Sequence, residues 1–324
     1  MASVIHRNIG DPRDYERRIR LARVSDLVVS EPGAFDATLT TTNVGRVWLQ
    51  SGSESLARTM RIAIEDPWRS LVFLADRQAA PIIQSGEEFC AGDLVSFGLN
   101  TSHFQRTFGP IRWAGMAIFP GDLEEAVTAI GGRDMGAPST SLLVRPSTEH
   151  LARLRRLHCE VNQMAVSGES ALGHPEVRRS LEQTLTVAMV ACLASDAKKS
   201  HGSGWHRHQQ IMLRFGEWLD ENNDRSVYLQ EVCSALLVSA PTLRRCCEEH
   251  LGMSPMHYLW LRRMNLARQE LQQRHSQASV TATAMNFGFW HLGRFAEEYR
   301  SLFGESPGAT LARHASTETT PRYS

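Results

Sequence analysis

The chain has 324 residues, 42% hydrophobic and 22% charged, with 35 basic residues against 35 acidic ones and a formal net charge of zero. That length allows two domains at about 100–200 residues each, and the balance is that of an ordinary soluble globular protein. Bulk charge therefore announces no nucleic-acid partner. The positive charge is nearly all arginine, the lysines being Lys198 and Lys199; arginine is the better fork for base edges and phosphate, but a GC-rich genome favours it as well.

The opening MASVIHRNIGDPRDYERRIR carries many charges and no apolar core, unlike a signal peptide. The most apolar run, LTVAMVACLA at 185–194, is about half the length of a spanning helix. A cytoplasmic location is the expectation. Cys90, Cys159, Cys192, Cys233, Cys246 and Cys247 are scattered with no C-x-x-C spacing. They read as small buried residues rather than as zinc ligands or a disulfide framework.

From about 25 to 135 the texture is that of strands. GRVWLQSG (45–52), SLVFLAD (70–76), DLVSFGL (93–99) and IRWAGMAIF (111–119) lie between turn signals such as EPG (31–33), QSGEE (84–88), FGP (108–110) and PGD (120–122). Short strands with regular turns predict a sandwich or barrel. The Gly/Ser/Pro-rich GGRDMGAPSTS (131–141) reads as a loop or linker.

Residues 146–200 turn helical. Leu151, Leu154, His158, Val161 and Met164 or Ala165 recur at three to four; after SGESALGHPE, Val177, Leu181, Leu185, Ala188 and Cys192 do the same. The spacing predicts a helical hairpin, either packed on the β-rich region or forming a dimer seam. A second Gly/Ser stretch, KKSHGSGW (198–205), reads as a linker. His201 in it, with His206 and His208 just after it, offers at most a chance metal site.

The remainder is helical and repeats itself. In 228–255, Leu229, Val232, Cys233 and Leu236 form a short apolar stripe, the chain turns at Leu237–Val238, and Ser239 is a good N-cap for a second helix. That helix turns Leu243, Cys246, Cys247 and Leu251 inward and Thr242, Arg244, Arg245, Glu248 and Glu249 outward; Gly252 ends it and Ser254–Pro255 begins the next. In 280–307 a short helix, the turn Phe287–Gly288–Phe289, a helix from Leu292 to Phe303, Gly304 and Ser306–Pro307 follow in the same order. Laying Gly252 on Gly304 gives a repeat of 52 residues. Two tandem units of this kind are helix-turn-helix geometry, whose second helix enters a major groove. The helix between them, running 17 residues from Pro255 to Leu271, is about 25 Å long at about 1.5 Å per residue. With the unit bodies added, the two second helices fall about one DNA turn apart, near 34 Å.

S-x-x-x-L-x-R (Ser239 to Arg245), LGMSPMHYL, R-x-x-x-A-R (Arg263 to Arg268) and GFWHLGRFAEEYRSLFGESP together resemble the DNA-binding domain of AraC/XylS bacterial transcription regulators. The resemblance covers the C-terminal hundred residues. It implies that Ala240, Pro241, Thr242, Arg244 and Arg245 in the first unit, and His291, Leu292, Arg294 and Glu297 in the second, face bases or phosphate. Arg263 and Arg300 become phosphate or structural contacts. Leu292 belongs to the inward stripe with Phe295, Tyr299 and Phe303, yet its place at the helix start also suits a thymine methyl. The chain departs from the family pattern at Trp290, Thr283 and Cys247. Glu297 and Glu298 are unexplained, since both would repel phosphate.

The β-rich region resembles the cupin or jelly-roll sensor domains of the same family by order and texture alone. Its one histidine between 25 and 135, His103, and the lack of H-x-H argue against cupin metal chemistry. A pocket for a small effector is the better reading, with Trp48, Phe73, Phe97, His103 and Trp113 as candidate lining residues that serve equally well as core.

The expected fold is α+β: a β-rich cupin/jelly-roll-like sensor at 1–140, a helical hairpin at 141–200, a linker at 201–210, a tandem helix-turn-helix domain at 211–315 and a disordered tail at 316–324. The expected function is a sequence-specific transcription regulator without enzymatic activity. The resemblance makes it an activator that meets RNA polymerase; promoter DNA, a small-molecule effector and a homodimeric state are the further expectations, with no cofactor or metal. The alternative is a cupin-like enzyme fused to a DNA-binding tail.

Overall fold

The computed structural model describes residues 4–64, 68–99, 101–129, 141–168, 170–194, 203–222, 225–273 and 279–315. In chain order they form β1 (Val4–Ile9), α1 (Pro12–Arg18), β2 (Arg23–Val29), β3 (Ala37–Val44), β4 (Val47–Glu54), β5 (Arg58–Ile64), β6 (Arg69–Leu74), β7 (Ile82–Gln84), β8 (Glu87–Phe89), β9 (Leu94–Ser96), β10 (Thr101–Arg106) and β11 (Ile111–Ile118). Then come α2 (Pro120–Ala129), β12 (Leu142–Val144), α3 (Thr148–Val166), α4 (Pro175–Leu193), α5 (Ser203–Glu221), α6 (Leu229–Leu236), α7 (Ala240–Leu251), α8 (Pro255–Gln272), α9 (Val280–Asn286), α10 (Leu292–Phe303) and α11 (Pro307–Ala315). Among the described residues no helix is long and apolar enough to cross a membrane.

The strands make two antiparallel sheets, one ordered β1-β3-β4-β11-β6-β9-β12 and the other β2-β5-β10-β7-β8. The threonine-rich β3 and the alternating β4 pair from Ala37–Glu54 to Val44–Val47. β-branched side chains suit this pleated, half-buried surface. Their two-residue turn puts Gly45 at φ 63°, the left-handed geometry that glycine takes without strain.

Four layers result. The hairpin α3/α4 lies on the outer face of the seven-stranded sheet, where Leu151, Leu154, Leu185 and Met189 meet Leu49, Phe73 and Met116. The inner faces of the two sheets enclose a core that includes Leu39, Ile62, Phe97 and Trp113. The outer face of the five-stranded sheet is covered in turn by the C-terminal helices: Val28 and Phe104 belong to the same core as Phe215, Leu243, Tyr258 and Phe295. The hairpin thus spends its apolar stripe on the β-rich body, one of the two placements the sequence allowed.

Some expectations change. The stretch expected as a linker at 201–210 is helix from Ser203 onward, so the helical body begins ahead of 211. The turn expected at Pro120–Gly121–Asp122 opens α2, with Pro120 at the first helical position. Most of GGRDMGAPSTS and the tail at 316–324 lie outside the described residues.

Candidate nucleic-acid interface

In the first unit α6 buries Val232 and Leu236. The chain then reverses through Leu237, whose φ of 54° is left-handed and whose side chain is 87% exposed. Ser239 caps α7 by accepting from the Thr242 amide, and Gly252 closes it at φ 65°. The second unit repeats the reversal and the closing glycine, Gly288 at φ 74° and Gly304 at φ 71°, but not the cap: Ser279 caps the first helix, α9, through the Ala282 amide, and His291 at the start of α10 makes no capping bond with its side chain. The left-handed residue is glycine in one unit and leucine in the other.

Each second helix is anchored on one side and open on the other. α7 buries Leu243, Cys246, Cys247, His250 and Leu251, leaving Ala240, Pro241, Arg244 and Arg245 exposed and Thr242 half-buried. α10 buries Phe295, Tyr299, Leu302 and Phe303, leaving His291, Arg294, Glu297 and Arg300 exposed. Leu292 is 36% exposed, so its reading as part of the inward stripe is corrected. At the first position of the helix it has no neighbouring turn to pack against, and it shares the open side with Trp290, which is 69% exposed.

The acidic residues hold the arginines in register. Arg244 lies 3.5 Å from Glu248, and Arg245 donates to Glu249 at 3.1 Å. Glu249 also meets His208 at 2.5 Å. Arg294 Nε donates to Glu298 Oε1 at 2.7 Å, while Glu298 Oε2 accepts from Trp260 Nε1 of α8 at 3.2 Å. Glu298, unexplained in the sequence, ties the exposed arginine to the linker helix, and the hydrogen bond it accepts, with its charge, holds the Arg294 guanidinium above its ordinary range. Glu297 stays exposed.

The arginines of α8 do other work. Arg263 lies over the rings of Tyr228, 5.7 Å away, and Phe289, 5.2 Å away, so one guanidinium joins the two units. Arg268 sits over Phe303 and pairs with Glu305. Arg262, which the sequence did not single out, is 2% exposed in its side chain. It donates to Asp26 Oδ1 at 2.9 Å, Leu219 O at 2.9 Å and Asn222 O at 3.4 Å. Asp26 sits at a break in the β2 register with φ 51°, so β2 is locked to the linker helix across 236 residues of sequence. Arg61 of β5 adds an ion pair to Asp220 of α5. No local pattern marks Asp26 or Arg262, because each partner is distant in the chain.

The five candidate effector residues do not share one site. Trp48 alone lines a cavity of about 450 Å³ beside β1, β3 and β4. Phe97 and Trp113 face the filled space between the sheets. Phe73 points the other way, edge-on to His158 under the hairpin. His103 is enclosed by the hydroxyls of Ser85, Thr101 and Ser141 at 2.8, 3.1 and 2.6 Å. Four of the five are therefore core, because strand alternation sends neighbouring aromatics to opposite faces.

Residues 232–313 match a family model described as a helix-turn-helix domain. Over 102 residues the chain is 39% identical to the XylDLEGF operon transcriptional activator 2 of Pseudomonas putida, covering 31% of this chain and 65% of that one. Over 175 residues it is 27% identical to activator 3 of the same operon and organism, covering 52% and 51% of the two chains. A probable AraC family transcriptional regulator of Rhodopseudomonas palustris, known from its crystal structure, aligns at 28% identity and a TM-score of 0.30 over 32% of this chain and 97% of that one. The chain spans between about one third and two thirds of the length of the curated relatives it matches. Over its tandem helix-turn-helix body, the chain is similar to transcriptional activators of the AraC/XylS family.

Proposed function

We propose that this protein is a sequence-specific DNA-binding transcription regulator, and an activator. The observation that carries the reading is the duplicated unit: two second helices, each buried on one side and presenting arginine on the other, held by one continuous linker helix. α8 runs 18 residues from Pro255 to Gln272, about 27 Å at about 1.5 Å per residue. With the unit bodies added, that span suits two successive major grooves, which recur every 34–36 Å or so. Arg244 and Arg294 are the reading residues, suited to bidentate contact with guanine O6 and N7. Ala240, Pro241, Thr242, Arg245, His291 and Leu292 border them, and Arg300 serves phosphate. Glu297 accepts from a cytosine N4. Arg263 is a structural contact between the units.

The β-rich body receives a small effector and controls the helical body packed on its five-stranded sheet. Arg262–Asp26 and Arg61–Asp220 are the joints through which a change in one body reaches the other. Effector binding acts as a population shift between packed and released arrangements. Promoter DNA and RNA polymerase are the macromolecular partners. The acting form is a cytoplasmic homodimer, and the protein is not an enzyme.

The test is operator binding by the full chain. Arg244→Ala and Arg294→Ala should each weaken specific binding by about 1–3 kcal/mol and relax the base preference at one position. Unchanged affinity in both variants, with the fold intact by circular dichroism, sinks the assignment of the reading faces.

A further inference from the structure

The first turn of α10 is arranged against its own stability. His291 precedes it without a capping bond from its side chain. Gly293 sits in it although a side chain there would meet nothing within 4 Å, and glycine weakens a helix relative to alanine. Arg294 then places a positive charge at the positive end of the helix dipole. α7 does the reverse, with Ser239 as its cap and Pro241 in its first turn. Local rules kept at one helix start and broken at the other point to function at the second.

Arg294 is exposed but not loose. Its Nε donates to Glu298 Oε1 at 2.7 Å, one turn along the same face. By itself such an exposed pair holds a side chain weakly. Here the carboxylate is held from behind: its Oε2 accepts from Trp260 Nε1 at 3.2 Å, and that indole stacks on His257, with ring centroids 5.5 Å apart and planes 16° apart. Arg263, three residues further along α8, acts on Glu298 by its charge. Support therefore runs from the linker helix outward, through Trp260 and Glu298 to Arg294. Glu298 spends one oxygen on each partner. Its bond to Nε leaves the two terminal nitrogens of Arg294 without another partner among the described residues. Those two nitrogens can fork guanine O6 and N7.

The first unit is built differently. Arg244 lies 3.5 Å from Glu248, and Glu248 has no bond to another helix among the described residues. Arg245 is backed through Glu249 and His208 of α5. Laid on the first unit in the 52-residue register, however, Arg294 falls on Thr242 and Glu298 on Cys246. The backed arginine of α10 thus stands one turn earlier in its helix and has no counterpart in α7.

We propose that Glu298, held by Trp260, is a positioning residue for DNA reading: it presets the Arg294 guanidinium so that both terminal nitrogens meet one guanine. This rests on the DNA-binding reading above and names what sets one of its contacts. Ordering a long side chain at an interface costs affinity, and a guanidinium fixed beforehand avoids that cost at one base. The carboxylate also offsets the attraction of Arg294 for phosphate, so it trades non-specific affinity for selectivity.

The experiment selects binding sites from randomised duplexes with the full chain at one salt concentration. The guanine whose preference disappears in Arg294→Ala is the base that Arg294 reads. Glu298→Ala should lose preference for that same guanine by about fivefold or more, keep its preferences elsewhere, and bind unrelated duplex as tightly as the wild type or more tightly. Trp260→Phe, which keeps a ring and removes the Nε1 donor, should lose preference at the same base by a smaller factor. Glu298→Ala/Arg294→Ala should be no less selective than Arg294→Ala alone. Retained preference in Glu298→Ala, a loss spread over all positions, or losses that add in the double variant overturns the proposal. When the wild type selects a site and Arg294→Ala loses its guanine, those results defeat the positioning role alone. A wild type that selects no site defeats the DNA-binding reading, and the proposal with it.

Discussion

Asp26→Asn isolates the joint between the β-rich and helical bodies. Asparagine tolerates the left-handed backbone found at this position, φ 51°, so the change removes charge and little else. The side chains of Arg262 and Asp26 are 2% and 10% exposed, with Nε to Oδ1 at 2.9 Å. Removing one partner of a buried pair costs about 3–5 kcal/mol when the other charge is stranded. Here the stranding is incomplete: an amide oxygen still accepts from Nε, and Leu219 O and Asn222 O still hold the other two nitrogens. The expected loss is therefore about 1–3 kcal/mol. Urea unfolding of the full chain, followed by tryptophan fluorescence, measures it. Arg262→Met alone leaves Asp26 buried and unpaired and should cost a similar amount, whereas Asp26→Leu/Arg262→Met should cost less than the sum of its parts by at least about 1 kcal/mol. Strict additivity in that cycle, or an Asp26→Asn variant as stable as the wild type, would refute the claim that this pair fastens the two bodies.

Leu237→Gly should stabilise the chain by up to about 1 kcal/mol, since the left-handed leucine costs about 1–2 kcal/mol and glycine returns part of that gain through unfolded-state entropy; a lower melting temperature contradicts this. Phe295→Ala, at a side chain 1% exposed among Phe289 and Tyr299, should cost about 3–5 kcal/mol and abolish operator binding together with the far-ultraviolet helix signal of α10. Acid should unfold the protein steeply. Burial, joined at His103 by the charge of His250, holds His103, His158 and His250 down to about 4. Between about pH 6.5 and 4 the unfolded chain binds protons that these rings refuse, so stability falls as pH falls, by roughly 3 kcal/mol per ring over the whole window. Glu16, raised by burial to about 7, acts in the opposite direction between about 7 and 4.5 and offsets roughly one ring. Melting temperatures from pH 7.5 to 4.5 read the net, and a flat profile contradicts it.

The C-terminal body was legible because its signals are local. Ser239, Ser254 and Ser306 cap the helices that follow them, and Gly252 and Gly304 end the helices before them, each within four residues of the groups they satisfy. A helix with apolar residues at three and four must bury that face and expose the other, so Arg244, Arg245 and Arg294 could be placed outward from spacing alone. The hairpin was legible for the same reason.

The β-rich body was less so. Several of its strands, such as the three-residue β7 and β8, are too short to show a period. The residues of β5 are buried throughout because both faces of its sheet are covered, which erases alternation. For that reason Phe73, Phe97, His103 and Trp113 could not be told from cavity residues, and the arginines that do line a cavity gave no signal. Arg20 is set beside the cavity that Arg7 also lines by Gln50, which ties the segment after α1 to β4, and Arg262 finds Asp26 only after both sheets and the linker helix have formed. Helix ends and helix faces are settled within a few residues of chain, so they can be read along it; charges that converge from distant segments depend on packing, and packing was needed to find them.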